Sequence, residues 1–360
     1  MSDVRVRYVH RGYFPARAGA ELMTQYLAAS MSRLGWEAGV YSNPVDDDTA
    51  AFMRSAGVSI QPLPATPDDT DRADVVHAFD AFHPQDIAAG LDLARAWDVP
   101  FAVTPASAPD VWPDRGTVLD GCRAADAVFA LTVAERDMLR DAGVPAARLH
   151  IVGQGPHLPG TPDPAAFRRE HGIQGPLVLF LGRKTRSKGY VTLLEATERV
   201  WRTRPDTSFV FLGPRWDDDC AQQFARYADP RVIELGMVDE DVKHSALAAC
   251  DLLCVPSTVD LFPLVYVEAW ACGKPVVASE FLGSEEVVSH GRDGLLVRPT
   301  VPAVAEALDR LLGDPAARDA MGRHGQERVR RELGWDAVAD RVHTVYRTLI
   351  AARKQTEKAR

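Results

Sequence analysis

A basic loop follows an apolar run in the middle of the chain. The stretch FLGRKTRSKGY, residues 180–190, carries four cations between two glycines. A strand end, a glycine and the N-terminus of a following helix form a common anion site, because free N–H groups point at the ligand. Arg183 can bind phosphate oxygens through two donors, and Lys188 can add a point charge. The alternative is a solvated basic loop, since the P-loop pattern GxxxxGK[ST] is absent.

Two carboxylates interrupt the apolar stretch TVDLFPLVYVEAWACGKPVVAS, residues 258–279. The pattern predicts a helix, a glycine stop and a buried strand. Asp260 is expected at the helix start, where its ordinary role is the N-cap. Glu268 is expected two turns into the helix, about 12 Å further on if all eight residues are helical. Its ordinary role is to face solvent, but its apolar neighbours indicate burial. A buried carboxylate needs a partner, and ribose hydroxyls are one.

A third segment, PARAGAELMTQYL at residues 15–27, places Gly19 just before an apolar helix that is predicted to begin near residue 20. Small residues at this point let a phosphate or a sugar approach the first N–H groups of the helix. The alternative is an ordinary loop before a helix.

The rest of the chain must position these groups, and its apolar segments alternate between strand and helix patterns. Strand-like runs such as VRVRYVH and PFAVTP alternate with helical segments such as AELMTQYLAASMSRLG, and the series restarts after a Gly- and Pro-rich stretch. This predicts an α/β protein with two Rossmann-like doubly wound parallel sheets that face each other across a cleft. The predicted domains are residues 1–158 and 159–338, with a C-terminal helix over 339–360 that packs back on the first domain.

Charge and composition exclude several functions. Residues 1–160 hold 13 Arg, no Lys and 21 Asp plus Glu, a net charge of −8 out of −9 for the whole chain. Such a surface repels nucleic acid and anionic membranes. No apolar run is long enough to span a membrane, and the N-terminus MSDVRVRYVH has a strand pattern rather than that of a signal peptide. The five cysteines form no CxxC pair, which favours a reduced, cytoplasmic protein without a metal site.

Together, the order and spacing of these motifs resemble those of the large retaining glycosyltransferase family 4, the glycosyl transferases group 1. This family is typified by sucrose, trehalose and mannosyl-inositol synthases and has the GT-B fold. It carries an N-terminal Gly-Gly-Ala-Glu helix start, a Gly-Arg…Lys-Gly loop and a Glu-x7-Glu motif. The similar segments here are Ala18-Gly19-Ala20-Glu21, Gly182-Arg183…Lys188-Gly189, Asp260-x7-Glu268, ACGKPVVAS at 271–279 and GSEEVVSHGRDGLLV at 283–297.

The resemblance implies a role for each matching residue. Arg183 and Lys188 would bind the donor diphosphate and stabilise it as a leaving group, in place of a metal ion. Asp260 would hold the transferred sugar, and Glu268 would bind the donor ribose. The other implied donor-binding positions are Gly19 near the phosphates, Met237 and Val238 near the nucleobase, and Phe262, Pro263 and Leu264 beside the sugar.

This chain departs from the family pattern at several of these positions. Asp260 replaces the usual Glu, and Pro263 stands where many members have glycine and therefore lacks an N–H group. Both changes affect the sugar pocket. In ADVVHAFD, where many members have His-x-His, only His77 is present and Phe79 occupies the second position. His77 is either a hydrogen-bonded strand-end histidine or a substrate contact, and His10 is a weaker case of the same kind.

The resemblance implies a retaining, metal-independent hexosyltransferase that moves a sugar from a nucleotide-diphosphate donor, UDP- or GDP-linked, to a hydroxyl acceptor. The acidic first half predicts a soluble acceptor that is neutral or cationic, such as a small metabolite or an amino sugar. Two alternatives stay open: a GT-B nucleotide-sugar epimerase and a non-catalytic nucleotide-sugar-binding partner protein. We expect no cofactor, no nucleic acid partner, no strong binding to anionic membranes, and a monomer or a homodimer.

Overall fold

The computed structural model describes residues 4–12 and 19–358, and within them the chain forms two compact units. Unit 1 contains the described residues up to Gln154 and those from Gly334 onward, and unit 2 runs from Gly155 to Leu333. Each unit has one parallel sheet whose strands are connected mainly through helices. The predicted fold class, two Rossmann-like doubly wound halves, is confirmed.

Unit 1 has a seven-stranded parallel sheet in the order β3-β2-β1-β4-β5-β6-β7. Its strands are β1 (Arg5–Val9), β2 (Glu37–Ser42), β3 (Ser59–Pro62), β4 (Val75–Phe79), β5 (Phe101–Thr104), β6 (Ala127–Ala130) and β7 (Leu149–Ile151). The helices along this part of the chain are α1 (Gly19–Arg33), α2 (Asp47–Ser55), α3 (Pro84–Trp97), α4 (Arg115–Ala124) and α5 (Val133–Asp141).

Unit 2 has a six-stranded parallel sheet in the order β10-β9-β8-β11-β12-β13. Its strands are β8 (Leu177–Leu181), β9 (Ser208–Leu212), β10 (Val232–Leu235), β11 (Leu252–Val255), β12 (Val276–Ser279) and β13 (Gly294–Val297). Its helices are α6 (Pro164–Glu170), α7 (Tyr190–Trp201), α8 (Cys220–Arg226), α9 (Glu240–Ala249), α10 (Leu264–Ala271), α11 (Ser284–Val287), α12 (Val301–Gly313) and α13 (Pro315–Arg328), followed by a π-helical turn over Val329–Leu333.

Both sheets reverse their strand order at one point, and this determines where ligands can bind. In unit 2 the reversal lies between β8 and β11, and in unit 1 it lies between β1 and β4. Ligands of open parallel sheets bind outside the carboxyl ends of the strands at such a switch point. All residues of β8 and β11 are buried, as expected for parallel strands that are covered on both faces. The loops after these strands therefore carry the polar chemistry of unit 2.

The unit boundaries differ from the predicted ones by a few residues. The segment before α6 belongs to unit 2 because it is bonded to α9: His244 Nδ1 lies 3.2 Å from the carbonyl oxygen of Pro159, and the Asp163 N–H donates to Ser245 Oγ. The last helix, α14 (Trp335–Lys358), returns to unit 1 and packs on α1. It starts before residue 339 because the Trp335 ring already stacks on Tyr26, with centroids 4.7 Å apart.

A buried hydrogen-bond chain ties α14 to the sheet of unit 1. The hydroxyl of Tyr346 is hydrogen-bonded to Nδ1 of His77, and Nε2 of His77 lies 2.8 Å from Oγ1 of Thr104. His77 and Tyr346 are fully buried, and burial lowers the pKa of His77 well below its usual value. The neutral ring therefore needs one donor and one acceptor, and its two neighbours provide them.

Replacing Tyr346 by Phe should destabilise unit 1. The variant leaves one buried ring nitrogen of His77 without a partner, which costs about 1–3 kcal/mol. We expect a lower thermal midpoint and a lower denaturant midpoint, measured by circular dichroism. Thr348→Ala, at an exposed position on the same helix, is the matched control and should change stability by less than about 0.5 kcal/mol. Equal stability of the two variants would show that the hydroxyl bond contributes nothing.

Candidate functional site

The loops that follow β8 and β11 are held together at the switch point of unit 2. The Thr258 N–H donates to the carbonyl oxygen of Ser187 at 2.8 Å, and Ser257 Oγ donates to the same oxygen at 3.2 Å. Gly189 allows this approach, because a Cβ atom at this position would lie 2.3 Å from the carbonyl oxygen of Pro256. Gly189 also has a φ of 80°, which disfavours other residues. Residues from two distant parts of the sequence thus form one surface.

An ion pair joins the two loops. Lys188 Nζ lies 2.5 Å from Asp260 Oδ2, and the two side chains are 23% and 13% exposed. The Leu261 N–H donates to the other oxygen, Oδ1, at 3.2 Å. The structure therefore brings together two residues that the sequence assigned to different parts of a donor, the phosphate and the sugar. An incoming anion would compete with Asp260 for the ammonium group.

Arg183 lies on the same loop and is exposed. Its guanidinium lies over the ring of Trp216, 5.1 Å from the centroid, and it forms no ion pair with any described residue. Arg186, in contrast, pairs with Asp219. Arg183 therefore remains open to an anionic ligand.

The position of the Lys184 side chain corrects the predicted basic loop, in which all four cations were grouped together. Its side chain is buried, and Nζ donates to the carbonyl oxygens of Gly213 at 2.5 Å and Leu235 at 2.6 Å. Glu234 lies 3.4 Å away. Lys184 thus holds the carboxyl ends of β9 and β10 together and does not face solvent. Burial lowers its pKa, with Glu234 opposing the shift.

The observed start of α10 also differs from the predicted start near Asp260. The helix begins at Leu264 with Pro263 at the N-cap position, so Asp260 lies in the preceding loop and is not the cap. Glu268 is the fifth helical residue, one turn from the start rather than two. The span of about 12 Å assumed a continuous helix, which the structure does not have between residues 260 and 263. Phe262 and Pro263 are buried beside Asp260.

Glu268 is buried, as expected, and its partner is a lysine that sequence reasoning missed. Lys243 on α9 donates to Glu268 Oε1 at 3.0 Å, lies 2.6 Å from Glu240 Oε2, and donates to the carbonyl oxygen of His157 at 3.0 Å. Burial raises the pKa of Glu268 to about 7, while Lys243 acts to lower it. No pattern around Lys243 points to this role, because Glu268 and His157 lie 25 and 86 residues away along the chain.

Met237 and Val238 follow β10, next to the strand ends that Lys184 connects. The Met237 side chain is 73% exposed, and Val238 is partly buried. The Gly213 N–H donates to the carbonyl oxygen of Gly236, so this segment lies beside the loop after β9. An exposed apolar side chain at this edge is available to contact a planar ligand, which is compatible with the predicted proximity to a nucleobase.

In unit 1 the predicted histidines lie in the interior. Both ring nitrogens of His77 are hydrogen-bonded to protein groups, which fits the structural one of its two predicted roles. His10 is also buried, its ring packs on Phe79, and burial lowers its pKa to about 3. His10 therefore stays neutral near pH 7. A Cβ atom at Gly12 would lie 3.5 Å from the His10 ring and 3.1 Å from Glu21 Oε1, so these groups are close together.

Gly19 is the first residue of α1, and a Cβ atom there would lie 3.3 Å from Gln154 Oε1. The first residue of the predicted Ala18-Gly19 pair, Ala18, lies outside the described residues.

Near Gly12, the Arg11 side chain pairs with the buried Asp86 at 2.6 Å. Asp80, at the end of β4, has a positive φ of 72° and is also buried.

Two further features of the described residues bear on the chemistry. Across residues 4–12 and 19–358, no three His, Cys, Asp or Glu side chains are grouped as metal ligands. Among the described helices, none combines the length and the apolar character that crossing a bilayer requires.

Comparisons with known proteins fit this geometry. Residues 175–314, which contain the Arg183 loop, Asp260 and Glu268, match the family Glycosyl transferases group 1. Alpha-maltose-1-phosphate synthase from Mycolicibacterium smegmatis is 30% identical over 67% of this chain and 66% of its own length. Alpha-D-kanosaminyltransferase from Streptomyces kanamyceticus is 29% identical over 66% of this chain and 63% of its own length. The chain spans about half to two thirds of the length of the curated relatives it matches.

The fold of this chain is also similar to that of a protein whose structure has been solved. The structure of HepE from Anabaena in complex with UDP and glucose aligns with a TM-score of 0.80 at 19% identity, covering 96% of this chain and 100% of that one. At this identity the likeness concerns the fold alone, which is GT-B. The motifs around residues 183, 188, 260 and 268, the family match and the shared fold agree, and residues 175–314 of this GT-B chain belong to the glycosyl transferases group 1 family.

Proposed function

We propose that this protein transfers a sugar from a nucleoside diphosphate sugar to a hydroxyl group of an acceptor. The observation that carries the proposal is the Lys188–Asp260 pair at the switch point of unit 2, together with Arg183 on the same loop, which has no ion-pair partner among the described residues. Glu268 is buried on the helix that follows Asp260. Two cations and two carboxylates suit the two kinds of group in such a donor, the diphosphate and the sugar hydroxyls.

The two cations have a defined task in this reaction. When the bond between the anomeric carbon and the diphosphate oxygen breaks, negative charge grows on that oxygen. Arg183 and Lys188 stabilise this charge, which is electrostatic catalysis. The Lys188 ammonium has three N–H donors, and only one of them is needed for Asp260. The donor diphosphate therefore binds beside Asp260 or displaces it.

The proposed reaction retains the anomeric configuration. The acceptor oxygen attacks the face that the diphosphate leaves, forms the new bond to the anomeric carbon, and passes its proton to the departing diphosphate. The protein supplies positioning and charge and needs no side chain as general base. A metal ion is not required in this scheme, because Arg183 and Lys188 neutralise the leaving group. The donor is UDP- or GDP-linked.

The acceptor is proposed to be a soluble small molecule that is neutral or cationic, bound by unit 1. The support is electrostatic: residues 1–160 hold 13 Arg and no Lys against 21 acidic residues. This surface attracts ammonium groups and repels anionic headgroups.

A non-catalytic nucleotide-sugar-binding protein is the second candidate. One observation favours it: both oxygens of Asp260 are already engaged, by Lys188 and by the Leu261 N–H, so fewer acceptor positions are left for a sugar. A nucleotide-sugar epimerase, the other alternative, would convert the donor in the absence of any acceptor. An assay for nucleotide release with and without acceptor alcohols separates all three functions.

Nucleotide binding should raise the thermal stability of the protein. We expect one nucleotide among UDP, GDP, ADP and dTDP, without added metal, to raise the midpoint. A ligand at 100 times its Kd stabilises by about 2.7 kcal/mol. Glu268→Gln should reduce the shift strongly. A carboxylate accepts ribose hydrogen bonds through both oxygens, whereas the neutral amide accepts only through its one oxygen.

The control for this experiment is Glu195→Gln, an exposed acid on α7. It should leave the nucleotide-induced shift unchanged. The shift is compared rather than the midpoint, since Glu268→Gln also leaves the buried Lys243 with one partner fewer and lowers the stability of the free protein. A full-sized shift in Glu268→Gln would rule out the ribose contact, and no shift with any nucleotide would rule out the proposed donor class.

Loss of either loop cation should impair turnover much more than stability. Arg183→Ala and Lys188→Ala each remove one group that stabilises the leaving diphosphate, so we expect turnover to fall about 100-fold or more. Nucleotide release is measured with UDP- and GDP-sugars. Arg186→Ala, on the same loop but paired with Asp219, is the matched control and should keep most activity. Near-normal turnover in Lys188→Ala would refute the leaving-group assignment.

The protein should not bind anionic vesicles. We expect no co-sedimentation with phosphatidylserine-containing liposomes at low salt, since the acidic half is repelled by such a surface. Vesicles of phosphatidylcholine alone serve as the reference. Salt-sensitive binding to the anionic vesicles would contradict the proposal of a soluble, neutral or cationic acceptor.

A further inference from the structure

We propose that Lys243 is a positioning residue for nucleotide recognition, which keeps Glu268 ionised and correctly oriented without touching the ligand itself. This inference rests on the proposed function, in which Glu268 accepts hydrogen bonds from the donor ribose. It assigns a role to a residue on a different helix, α9, that carries none of the sequence motifs.

The Lys243 ammonium is enclosed by protein acceptors and by one further negative charge. It donates to Glu268 Oε1 at 3.0 Å and to the carbonyl oxygen of His157 at 3.0 Å. It also forms an ion pair with Glu240, whose Oε2 lies 2.6 Å from Nζ. The side chain is only 14% exposed. Because these three groups surround the ammonium, Lys243 acts through Glu268 and not by binding the ligand.

Glu268, in contrast, keeps acceptor capacity. A carboxylate offers about four lone-pair positions. Lys243 uses one of them, and the backbone N–H of His157 provides a second hydrogen bond. About two positions remain, which is the number that the two hydroxyls of a ribose require. Lys243 and His157 hold the carboxylate from the protein side, so that the remaining lone pairs have a fixed direction.

The charge balance around Glu268 depends on Lys243. On α9, Glu240 acts against ionisation of Glu268 and Lys243 acts in its favour. Arg328 on α13 lies over the Trp270 ring and pairs with Asp293, so its charge is already compensated. The other titratable groups near α10 lie on the elements packed against it or next to it in the chain. They are Asp241 and His244 on α9, Cys254 on β11, Arg318, Asp319, Arg323, His324 and Glu327 on α13, the exposed Arg330, Arg331 and Glu332 of the π-helical turn, His157 before α6, and Cys272 after α10. Lys243 is the cation with a direct bond to Glu268.

The sign of the resulting pH dependence follows from these contacts. Burial raises the pKa of Glu268 to about 7 even with Lys243 in place. Above this pH the carboxylate accepts two ribose hydrogen bonds, and below it the carboxyl group is protonated and accepts fewer. Removal of Lys243 raises the pKa further, so that the group is protonated across neutral pH. Nucleotide affinity should therefore rise with pH, and the rise should move to higher pH in the variant.

The experiment is calorimetric titration of UDP and GDP into the wild type and the variants between pH 6 and pH 9. The nucleotide phosphate also titrates near neutral pH, so the readout is the ratio of variant to wild-type Kd at each pH. For Lys243→Met we expect binding about tenfold weaker at pH 7, with the ratio falling towards 1 at pH 9. Lys243→Arg keeps the charge and should restore a ratio near 1 at every pH.

Glu240→Gln provides a test with the opposite sign. It removes a negative charge that disfavours ionisation of Glu268, so nucleotide binding below pH 7 should become tighter than in the wild type. Structural damage does not produce opposite shifts in two neighbouring variants. A ratio for Lys243→Met that is the same at every pH, or a Lys243→Met that binds like the wild type throughout, overturns the inference.

Different results would refute the ribose contact of Glu268 and the positioning role of Lys243. If the wild type binds neither nucleotide, or if Glu268→Gln binds as tightly as the wild type, the proposed ribose contact is wrong and the inference falls with it. If Glu268→Gln loses affinity while Lys243→Met shows no pH-dependent loss, the ribose contact stands and only the role of Lys243 is refuted.

Discussion

The pairing of β8 with β11 is the constraint on which the site in unit 2 depends. The two strands are joined in parallel through Leu252 with Val178 and Leu253 with Leu179, although more than 70 residues separate them in the sequence. Their following loops leave the same edge of the sheet at neighbouring positions. Gly189 lets these loops approach to contact distance, and Lys188 and Asp260 meet as a consequence. The ion pair is therefore a product of the strand order and not of local sequence.

Two buried lysines also hold neighbouring segments of unit 2 together. Lys184 and Lys243 are both removed from most solvent, and a buried ammonium is tolerated only when its donors are satisfied. Lys184 satisfies them with the carbonyl oxygens at the ends of β9 and β10, and Lys243 with two carboxylates and one carbonyl oxygen. Moving any of these segments would leave a buried charge without a partner. The two lysines thus help to fix the position of the loop that carries Arg183 and of the helix that carries Glu268.

The sequence was sufficient to predict the sheets, because parallel strands covered on both faces are continuous apolar runs, as in Leu177–Leu181. It also placed Arg183 and Lys188 in the loop after β8 and Glu268 on the helix before β12, where the structure has them, while their binding roles stay predictions. The burial of Lys184 was not predicted, because a buried and a solvated lysine look alike in a basic loop.

The start of α10 was misplaced although a signal was present. Pro263 restricts the residue before it and is common at helix starts, so it marks a beginning at Leu264. Lys243 could not have been found, because its contacts with Glu268 and His157 arise only when α9 packs beside α10 and the segment before α6. Sequence patterns report local periodicity, and this site depends on contacts between residues that are far apart along the chain.

The Lys188–Asp260 pair also bears on how the loop after β8 would receive the proposed donor. The two side chains keep 23% and 13% of their surface exposed, so an incoming anion can reach the ammonium of Lys188. While the ion pair is closed, it limits the rotamers of Lys188 and leaves Arg183 as the uncompensated cation of the two. A diphosphate carries at least two negative charges and can engage both cations at once, whereas a single carboxylate can engage only one. Under the proposed function, a diphosphate would take the place of Asp260 at Lys188, and the ammonium would already be near its working position, which would reduce the entropy lost on binding.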